Sequence, residues 1–319
     1  METSVNFILP DHEEFYKWSL ETDITKWALR FACDMITIVV TGERSYLMAS
    51  YYNILSNKKV KNSNTAIEDP ERFIQGIKNH LSGFTYFLYF SPFLHYHIPF
   101  IKDQVKATLK NWDYLFKIID LIIEKRRKEI EEILVGDELR NDMLITLIVT
   151  NTVRDINRTN NGRDNISRPI TDDKIRANLL DSFQDGIDTT ANTFSFIVYY
   201  ICKHHHVKKK IVDEIDSIFL SKTFFHLKYD DLLKLEYCDA IINENLNNKV
   251  RNKFSLLTFG GGLRICPGRR LAIIELLFLM VILFGKYEVE LVDMNAPLKV
   301  KSKATTTCGE LPIKIKLRK

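Results

Sequence analysis

Long apolar runs are missing from this sequence of 319 residues. No window reaches the roughly 18 apolar residues that a membrane-spanning helix needs, and the nearest candidate, Leu271 to Phe284, contains Glu275. An apolar segment of that length is typical of a helix buried in a protein core. The first residues, METSVNFILPDHEEF, have neither a basic start nor a long apolar core, so we expect no signal peptide and no membrane anchor.

Paired cysteines and an excess of one charge are also absent. No two of the five cysteines form a Cys-x-x-Cys pair, which argues against a disulfide framework or a structural zinc site and favours a reducing compartment. The 45 basic and 41 acidic side chains nearly cancel, so the charge does not indicate nucleic acid as a partner. With only 12 Gly and 8 Pro, the chain is neither collagen-like nor of low complexity.

What is present is mostly helical periodicity, and strand-like patterns occur only near the C-terminus. Thr171 and the two aspartates after it supply a helix cap and early negative charge, and the helix that they open is expected to run to about Lys203. The sequence therefore predicts a mainly α fold with a small C-terminal β appendage, in a single domain over residues 1–319. The predicted helices cover residues 25–52 with a break at Gly42, 102–134, 172–203, 207–219, 229–247 and 271–284, the strands cover 287–292 and 313–317, and a loop covers 157–169.

Residues 84–100 form an aromatic segment that Pro92 and Pro99 interrupt. The two prolines predict a turn between helices rather than a membrane span. Two interpretations are open for its side chains. They could form a flexible lid or a membrane-touching loop, or they could be core aromatics beside a turn.

The most informative segment is the glycine-rich loop Phe259–Gly268, with the sequence FGGGLRICPG. Glycines let the backbone approach a flat partner closely. Cys266 stands directly before Pro267, a residue favoured at the first helical position, so the buried helix is predicted to begin there. A helix N-terminus favours the thiolate, and with Arg264 nearby for a carboxylate the arrangement suits an iron porphyrin bearing propionates. The alternative is a glycine turn with a buried free cysteine.

This loop resembles the haem-ligand signature of the cytochrome P-450 superfamily, Phe-x-x-Gly-x-Arg-x-Cys-x-Gly. All its fixed positions are met, by Phe259, Gly262, Arg264, Cys266 and Gly268. The resemblance implies a cytochrome P-450-like helical fold and a haem cofactor bound in this loop, with Cys266 as the axial thiolate and metal ligand. It also implies that Phe259 packs near the sulfur and that Arg264 meets a haem propionate.

A second motif lies midway along the predicted helix 172–203, where the family has Ala/Gly-Gly-x-Asp/Glu-Thr-Thr/Ser. This sequence has DGIDTT at residues 185–190, with Asp185 in place of the small residue. A glycine in mid-helix costs about 1 kcal/mol, so the missing side chain at Gly186 should serve a purpose. The resemblance implies that this gap admits dioxygen over the iron and that Asp188 and Thr189 relay protons to it. The alternative is a helix merely kinked by its glycine and threonines.

Three departures from the family suggest an incomplete version of its fold. The Glu-x-x-Arg motif is replaced by Glu244-Asn245-Leu246-Asn247, and only 22 residues separate Glu244 from Cys266, where the family has several dozen more. The sequence also begins after the family's membrane anchor, first sheet and Trp-x-x-x-Arg helix. An unpaired buried glutamate would be costly, so we expect weak haem binding and poor catalysis from the chain as written.

Three further features have ordinary explanations that compete with functional ones. The run His204–His206 could ligate a metal, but it is better interpreted as the end of a helix. The tetrapeptide Pro70–Phe73 matches a family motif at the wrong place and is treated as a coincidence. Basic side chains around the cysteine could receive an acidic electron donor or could simply be solvated; they are Lys208, Lys209, Lys210, Arg269 and Arg270.

The resemblance implies a haem-thiolate monooxygenase that inserts one atom of dioxygen into a small apolar substrate, with electrons from a reductase and no nucleic-acid partner. The competing hypothesis is a non-catalytic, truncated homologue or incomplete gene model with weak or no haem binding. Eukaryotic relatives usually lie on the endoplasmic reticulum membrane, but the chain has no recognisable anchor, so its compartment is left open.

Overall fold

A computed structural model describes residues 19–56, 67–134, 137–150, 152, 154, 168–219, 227–244, 259–302 and 305–318. They divide into two compact units, one formed by Met1–Ala32 with Asp188–Lys319 and the other by Cys33–Ile187. The single domain expected from the sequence stays a prediction. In the described part of the chain, no helix is both long and apolar enough to cross a membrane.

The unit Cys33–Ile187 contains helices and no strand among its described residues. Helices α3 (Pro70–Tyr89) and α5 (Pro99–Glu132) approach closely because glycines lie at their interface. A Cβ atom on Gly83 would lie 2.5 Å from the Thr108 side chain, and the Asn111 amide donates to the Gly76 carbonyl at 2.9 Å. The helices are α1 (Ile24–Thr41), α2 (Leu47–Leu55), α3 (Pro70–Tyr89), α4 (Pro92–His97), α5 (Pro99–Glu132), α6 (Met143–Val149) and α7 (Asp172–Lys203). Part of α1 and part of α7 belong to the other unit.

A buried arginine joins three segments of this unit. Arg126 of α5 is 2% exposed and donates to the carboxylate of Asp142 at 3.1 Å and to the Thr41 carbonyl at 2.6 Å. Asp142 also accepts from the Ile145 N–H at 2.8 Å, so it caps α6 while it pairs with Arg126. The glycine at position 42, with a φ of +67°, sits where a Cβ atom would lie 2.6 Å from Asp142 Oδ2. The cluster therefore fixes the predicted break at Gly42.

The other unit combines helices with two small antiparallel sheets. The three-stranded sheet has the order β1 (Ser19–Asp23), β5 (Pro312–Leu317), β2 (Tyr287–Leu291), with Ser19 opposite Lys316 and Tyr287 opposite Leu317. Strand β3 (Val300–Ser302) pairs with β4 (Thr306–Cys308). Arg318 follows β5 and donates to the Phe284 and Gly285 carbonyls at 3.1 and 2.9 Å, which caps the end of α11 (Arg269–Lys286). The elements of this second unit are β1 (Ser19–Asp23), α8 (His205–Ile218), α9 (Tyr229–Leu232), α10 (Glu236–Glu244), α11 (Arg269–Lys286), β2 (Tyr287–Leu291), β3 (Val300–Ser302), β4 (Thr306–Cys308) and β5 (Pro312–Leu317).

The observed elements confirm the predicted mainly α fold with a small β appendage, but several details differ. Helices α3, α4 and α6 were not predicted. The predicted helix 229–247 is two helices, α9 and α10. The strand signal was expected only near the C-terminus, yet β1 forms at residues 19–23. Strands β3 and β4 were also not predicted. Most of the predicted loop 157–169 and residues 245–247 of the altered Glu-x-x-Arg motif lie outside the described residues.

Candidate functional site

The glycine-rich loop is closed by one backbone hydrogen bond. The Cys266 N–H donates to the Phe259 carbonyl at 2.8 Å, across a short 3₁₀ turn at Gly262–Arg264. Gly260 and Gly262 have φ values of +73° and +66°, which only glycine adopts without strain. The loop therefore brings Phe259 and Cys266 together and depends on Gly262 for its backbone path.

The thiol of Cys266 differs from the other four in the chain because it alone is exposed; Cys33, Cys202 and Cys238 are buried and Cys308 is partly buried. Burial raises the pKa of Cys202 and of Cys308 to about 11 and raises that of Cys238 further, so these three groups stay protonated and unreactive. A buried free cysteine in the loop, the alternative considered from sequence, does not match this exposure.

Helix α11 begins later than the sequence predicted. Gly268 is its N-cap and Arg269 its first residue, whereas Pro267 lies in the preceding turn. The Arg269 N–H donates to the Cys266 carbonyl at 3.3 Å. Gly268 has an ordinary φ of −82°, but a Cβ atom there would lie 3.9 Å from Cys266 Sγ. A side chain at position 268 would therefore touch the sulfur at an ordinary van der Waals distance.

The loop presents apolar and cationic side chains to the exterior. The Leu263 side chain is completely exposed, Ile265 is 44% exposed, and Arg264 is exposed as well. The Arg269 guanidinium lies 5.6 Å from the centre of the Phe259 ring. An exposed thiol flanked by apolar side chains and a guanidinium can bind a flat apolar ligand that carries a carboxylate.

The glycine of the second motif lies against α1. A Cβ atom on Gly186 would lie 2.8 Å from both Cγ1 and Cδ1 of Ile36, so the Ile36 side chain occupies the space that the glycine leaves. Packing against α1 is thus one reason for a glycine here. The role of Gly186 in admitting dioxygen stays a prediction.

The polar residues of the motif differ in exposure along α7. Thr189 is exposed, Asp188 is partly buried and Thr190 is 4% exposed. Partial burial and the neighbouring Asp181 carboxylate raise the pKa of Asp185, the residue that replaces the family's small one. Asp188 and Thr189 belong to the same unit as Cys266, whereas Gly186 belongs to the other. Their proposed proton relay stays a prediction.

A residue that sequence reasoning noted but gave no role is Glu275 of α11. It is 2% exposed. Burial raises its pKa to about 8, although side-chain hydrogen bonding with Thr190 acts in the opposite direction. The signal that could have identified it is an acidic residue inside an otherwise apolar segment, because such a residue needs a buried partner.

The aromatic segment 84–100 lies at the exterior of its unit. Tyr89, Tyr96, Phe100 and Phe93 are 80, 70, 68 and 66% exposed. These exposures argue against the core interpretation for those four side chains. The lid and membrane-touching interpretations both stay open.

Residues of the remaining sequence features take part in local structure. Pro70 is the first residue of α3, where the Asp69 side chain accepts from the Arg72 N–H, so the tetrapeptide 70–73 is a helix start. His204 separates α7 from α8, and no cluster of three potential metal ligands occurs among the described residues. Lys208 donates to the Val289 carbonyl at 2.7 Å and is therefore not simply a solvated charge.

Comparisons with known proteins agree with these observations. The sequence model of the family described as Cytochrome P450 matches residues 10–247 and 244–317. The mitochondrial cholesterol side-chain cleavage enzyme of Hypanus americanus is 22% identical in an alignment 361 positions long. The alignment covers 95% of this chain and 63% of that protein. Cytochrome P450 3A2 of Rattus norvegicus is 34% identical over 92 residues, or 28% of this chain and 18% of that protein. The chain thus spans less than two thirds of each of these relatives.

Proposed function

Because the chain belongs to the cytochrome P450 family, we propose that it is a haem-thiolate monooxygenase acting on a small apolar organic substrate, with electrons from a reductase. The observation that carries the proposal is the exposed Cys266 thiol within a loop that completes the family's haem-ligand signature. The substrate class, the reductase and the turnover of this chain are all parts of the proposal.

The residues of the loop fit a haem group. A single exposed thiol is the donor that the iron of such a group takes as a thiolate ligand. Leu263 and Ile265 are exposed apolar side chains of the kind that a porphyrin face would cover, and the exposed Arg264 could pair with a propionate. Bound haem would supply the activation of dioxygen and the insertion of one of its atoms into the substrate.

The side chains of α7 would control protons. A carboxylate that is partly shielded from solvent, as Asp188 is, can accept a proton from water and pass it to a neighbouring hydroxyl. The Thr189 hydroxyl follows directly in the sequence; it would donate its own proton from Oγ1 and take the replacement proton from Asp188.

Oxygen incorporation tests the proposal most completely. The purified chain is loaded with haem, supplied with a reductase and ¹⁸O₂, and offered a panel of apolar probes including a sterol. We expect one ¹⁸O atom per product molecule with the wild-type chain and none with Cys266→Ala. Product without ¹⁸O, or no product from a chain that has bound haem stoichiometrically, would contradict a monooxygenase.

A second candidate is a non-catalytic homologue or an incomplete gene model. It is favoured by the family match, which falls into two segments that meet at residues 244–247, and by the short interval from Glu244 to Cys266. Sequencing the transcript between the codons for Asn248 and Phe259 tests it. A longer open reading frame would support this candidate, whereas a matching transcript and stoichiometric haem uptake would support the enzyme.

A further inference from the structure

His80 lies in the middle of the contact between α3 and α5. Gly76, His80 and Gly83 follow one another at spacings of four and three residues, so they share one face of α3. A Cβ atom on Gly76 would lie 3.0 Å from Leu115 Cδ2 of α5. One on Gly83 would lie 2.5 Å from the Thr108 side chain of the same helix. The two helices therefore approach closely on both sides of the imidazole.

Aromatic rings surround the His80 side chain, which is 9% exposed. The centre of its ring lies 5.7 Å from that of Trp112 of α5 and 6.4 Å from that of Phe84, one turn later on α3. Trp112 in turn stacks on Phe87 at 4.9 Å. The Nδ1 atom of His80 and the Nε1 atom of Trp112 are both buried, and neither has a hydrogen-bond partner among the described residues. A proton on His80 Nδ1 would therefore lack an acceptor there.

Protonation of His80 would make this contact unfavourable. A neutral imidazole donates a hydrogen bond from one nitrogen only, whereas an imidazolium donates from both. The charged form would place an unpaired N–H group at Nδ1 and a positive charge among aromatic side chains, away from water. The attraction between an imidazolium and the Trp112 ring opposes this effect, but it is weaker than the cost of burying a charged donor without a partner.

The groups around His80 favour the neutral form of its ring. One turn away on α3 and on the facing side of α5 the residues are uncharged; they are Gly76, Ile77, Gly83, Phe84, Thr108, Asn111, Trp112, Tyr114 and Leu115. Burial raises the pKa of Tyr114, so its hydroxyl keeps its proton. Burial also lowers the pKa of His80 below its ordinary value of 6.5, and this effect exceeds the opposing one of the Asp181 carboxylate of α7. The imidazole is therefore neutral at pH 7 and gains its proton only in more acidic solution.

We propose that His80 is a pH-sensitive switch: α3 stays packed against α5 while the imidazole is neutral, and the contact loosens when the imidazole is protonated. The aromatic segment 84–100 should respond, because it consists of the end of α3, the whole of α4 and the start of α5. All of these residues belong to the unit Cys33–Ile187. The inference depends neither on haem nor on the proposed function.

An NMR titration of the full chain, labelled at its histidine and tryptophan rings, tests the protonation step. The His80 signals, identified by their loss in His80→Gln, should shift with a midpoint below pH 6.5. The indole N–H signal of Trp112 should shift with the same midpoint, and this shift should be absent in His80→Gln. A His80 midpoint at or above pH 6.5 would overturn the proposal.

Amide hydrogen exchange, corrected for the intrinsic effect of pH, tests the loosening. Between pH 7.5 and pH 5 we expect the protection of residues 76–83, 84–100 and 108–115 to fall about tenfold, because the opened form takes up the proton more readily and each unit of difference in pKa is worth a factor of ten. His80→Phe keeps an aromatic ring that cannot be protonated, so its protection should be the same at both pH values. His80→Gln carries the test if His80→Phe fails to fold.

The matched control is His95→Gln, because His95 of α4 belongs to the same aromatic cluster, with its ring 5.2 Å from that of Phe87. This variant should lose protection in acid as the wild type does. Constant protection in the wild type, or an equal loss in His80→Gln, would overturn the proposal.

Discussion

Ile36 of α1 occupies the space that a side chain at position 186 of α7 would need, with two of its carbon atoms 2.8 Å from the position of a Cβ atom there. Replacing a mid-helix glycine by alanine ordinarily stabilises a helix by about 1 kcal/mol. At this position overpacking should dominate, so we expect Gly186→Ala to lower the free energy of unfolding by about 1–3 kcal/mol. Urea denaturation of the two proteins measures the difference.

The control for this prediction is Ile36→Ala, which removes both crowded atoms. In that background Gly186→Ala should become neutral or stabilising, because the cost depends on the Ile36 side chain. A Gly186→Ala protein as stable as the wild type would show that the site can relax, and packing would then not account for the glycine.

A second prediction concerns the contribution of Arg126 to the free energy of unfolding. Replacement by methionine removes the hydrogen-bonded cation of the buried Asp142 carboxylate and leaves only Arg140, whose Nε lies 3.9 Å from Oδ2, so it should cost about 3–5 kcal/mol. The matched control is Arg127→Met, because Arg127 pairs with Asp172 at an exposed site and should contribute less than about 1 kcal/mol. Equal midpoints of urea denaturation for the two variants would contradict the assignment of Arg126 as a structural centre.

The raised pKa of Glu275 predicts a pH dependence of stability. The pKa of this group is about 8 in the folded chain against an ordinary 4.5, so between these values the unfolded chain releases a proton that the folded chain keeps. Stability from this group is therefore highest below pH 4.5 and falls as the pH rises toward 8, by up to about 1.4 kcal/mol per pH unit. Glu275→Gln should remove that slope when unfolding is measured across the range. Identical slopes for the two proteins would show that the carboxyl group ionises normally.

A further prediction concerns how Thr189 affects the coupling of electron consumption to product formation. If its hydroxyl passes protons, Thr189→Ala should consume reducing equivalents at a near-normal rate while most of them appear as hydrogen peroxide instead of product. Thr189→Ser keeps the hydroxyl and serves as the control. Peroxide and product are assayed together in the haem-loaded protein, and an unchanged ratio in Thr189→Ala would remove Thr189 from the mechanism.

The parts of the fold that the sequence predicted are those with local causes. Helix α7 ends at the predicted Lys203 and starts one residue after Thr171, since periodicity and early negative charge are local signals. The apolar segment 271–284 forms most of the buried helix α11, and the recognisable loop signature identified the family.

The parts that were missed depend on distant partners. Helix α10 starts separately from α9 because the Glu214 carboxylate of α8 accepts from the Tyr237 and Cys238 N–H groups at 2.6 and 2.9 Å. Strand β1 is short and polar, and it exists because β5, almost 300 residues later, pairs with it. A reader of the sequence sees neither partner.

The absorption spectrum of the reduced, carbon-monoxide-bound protein tests the central claim, that Cys266 is the thiolate ligand of haem. The chain is reconstituted with haem, reduced, exposed to carbon monoxide and compared with Cys266→Ala and with Cys308→Ala, a partly buried cysteine, as the matched control. We predict the strongly red-shifted Soret band of a thiolate-ligated iron in the wild type and in Cys308→Ala, and its loss in Cys266→Ala. A Cys266→Ala protein that keeps this band, or a haem-loaded wild type that lacks it, would contradict the assignment.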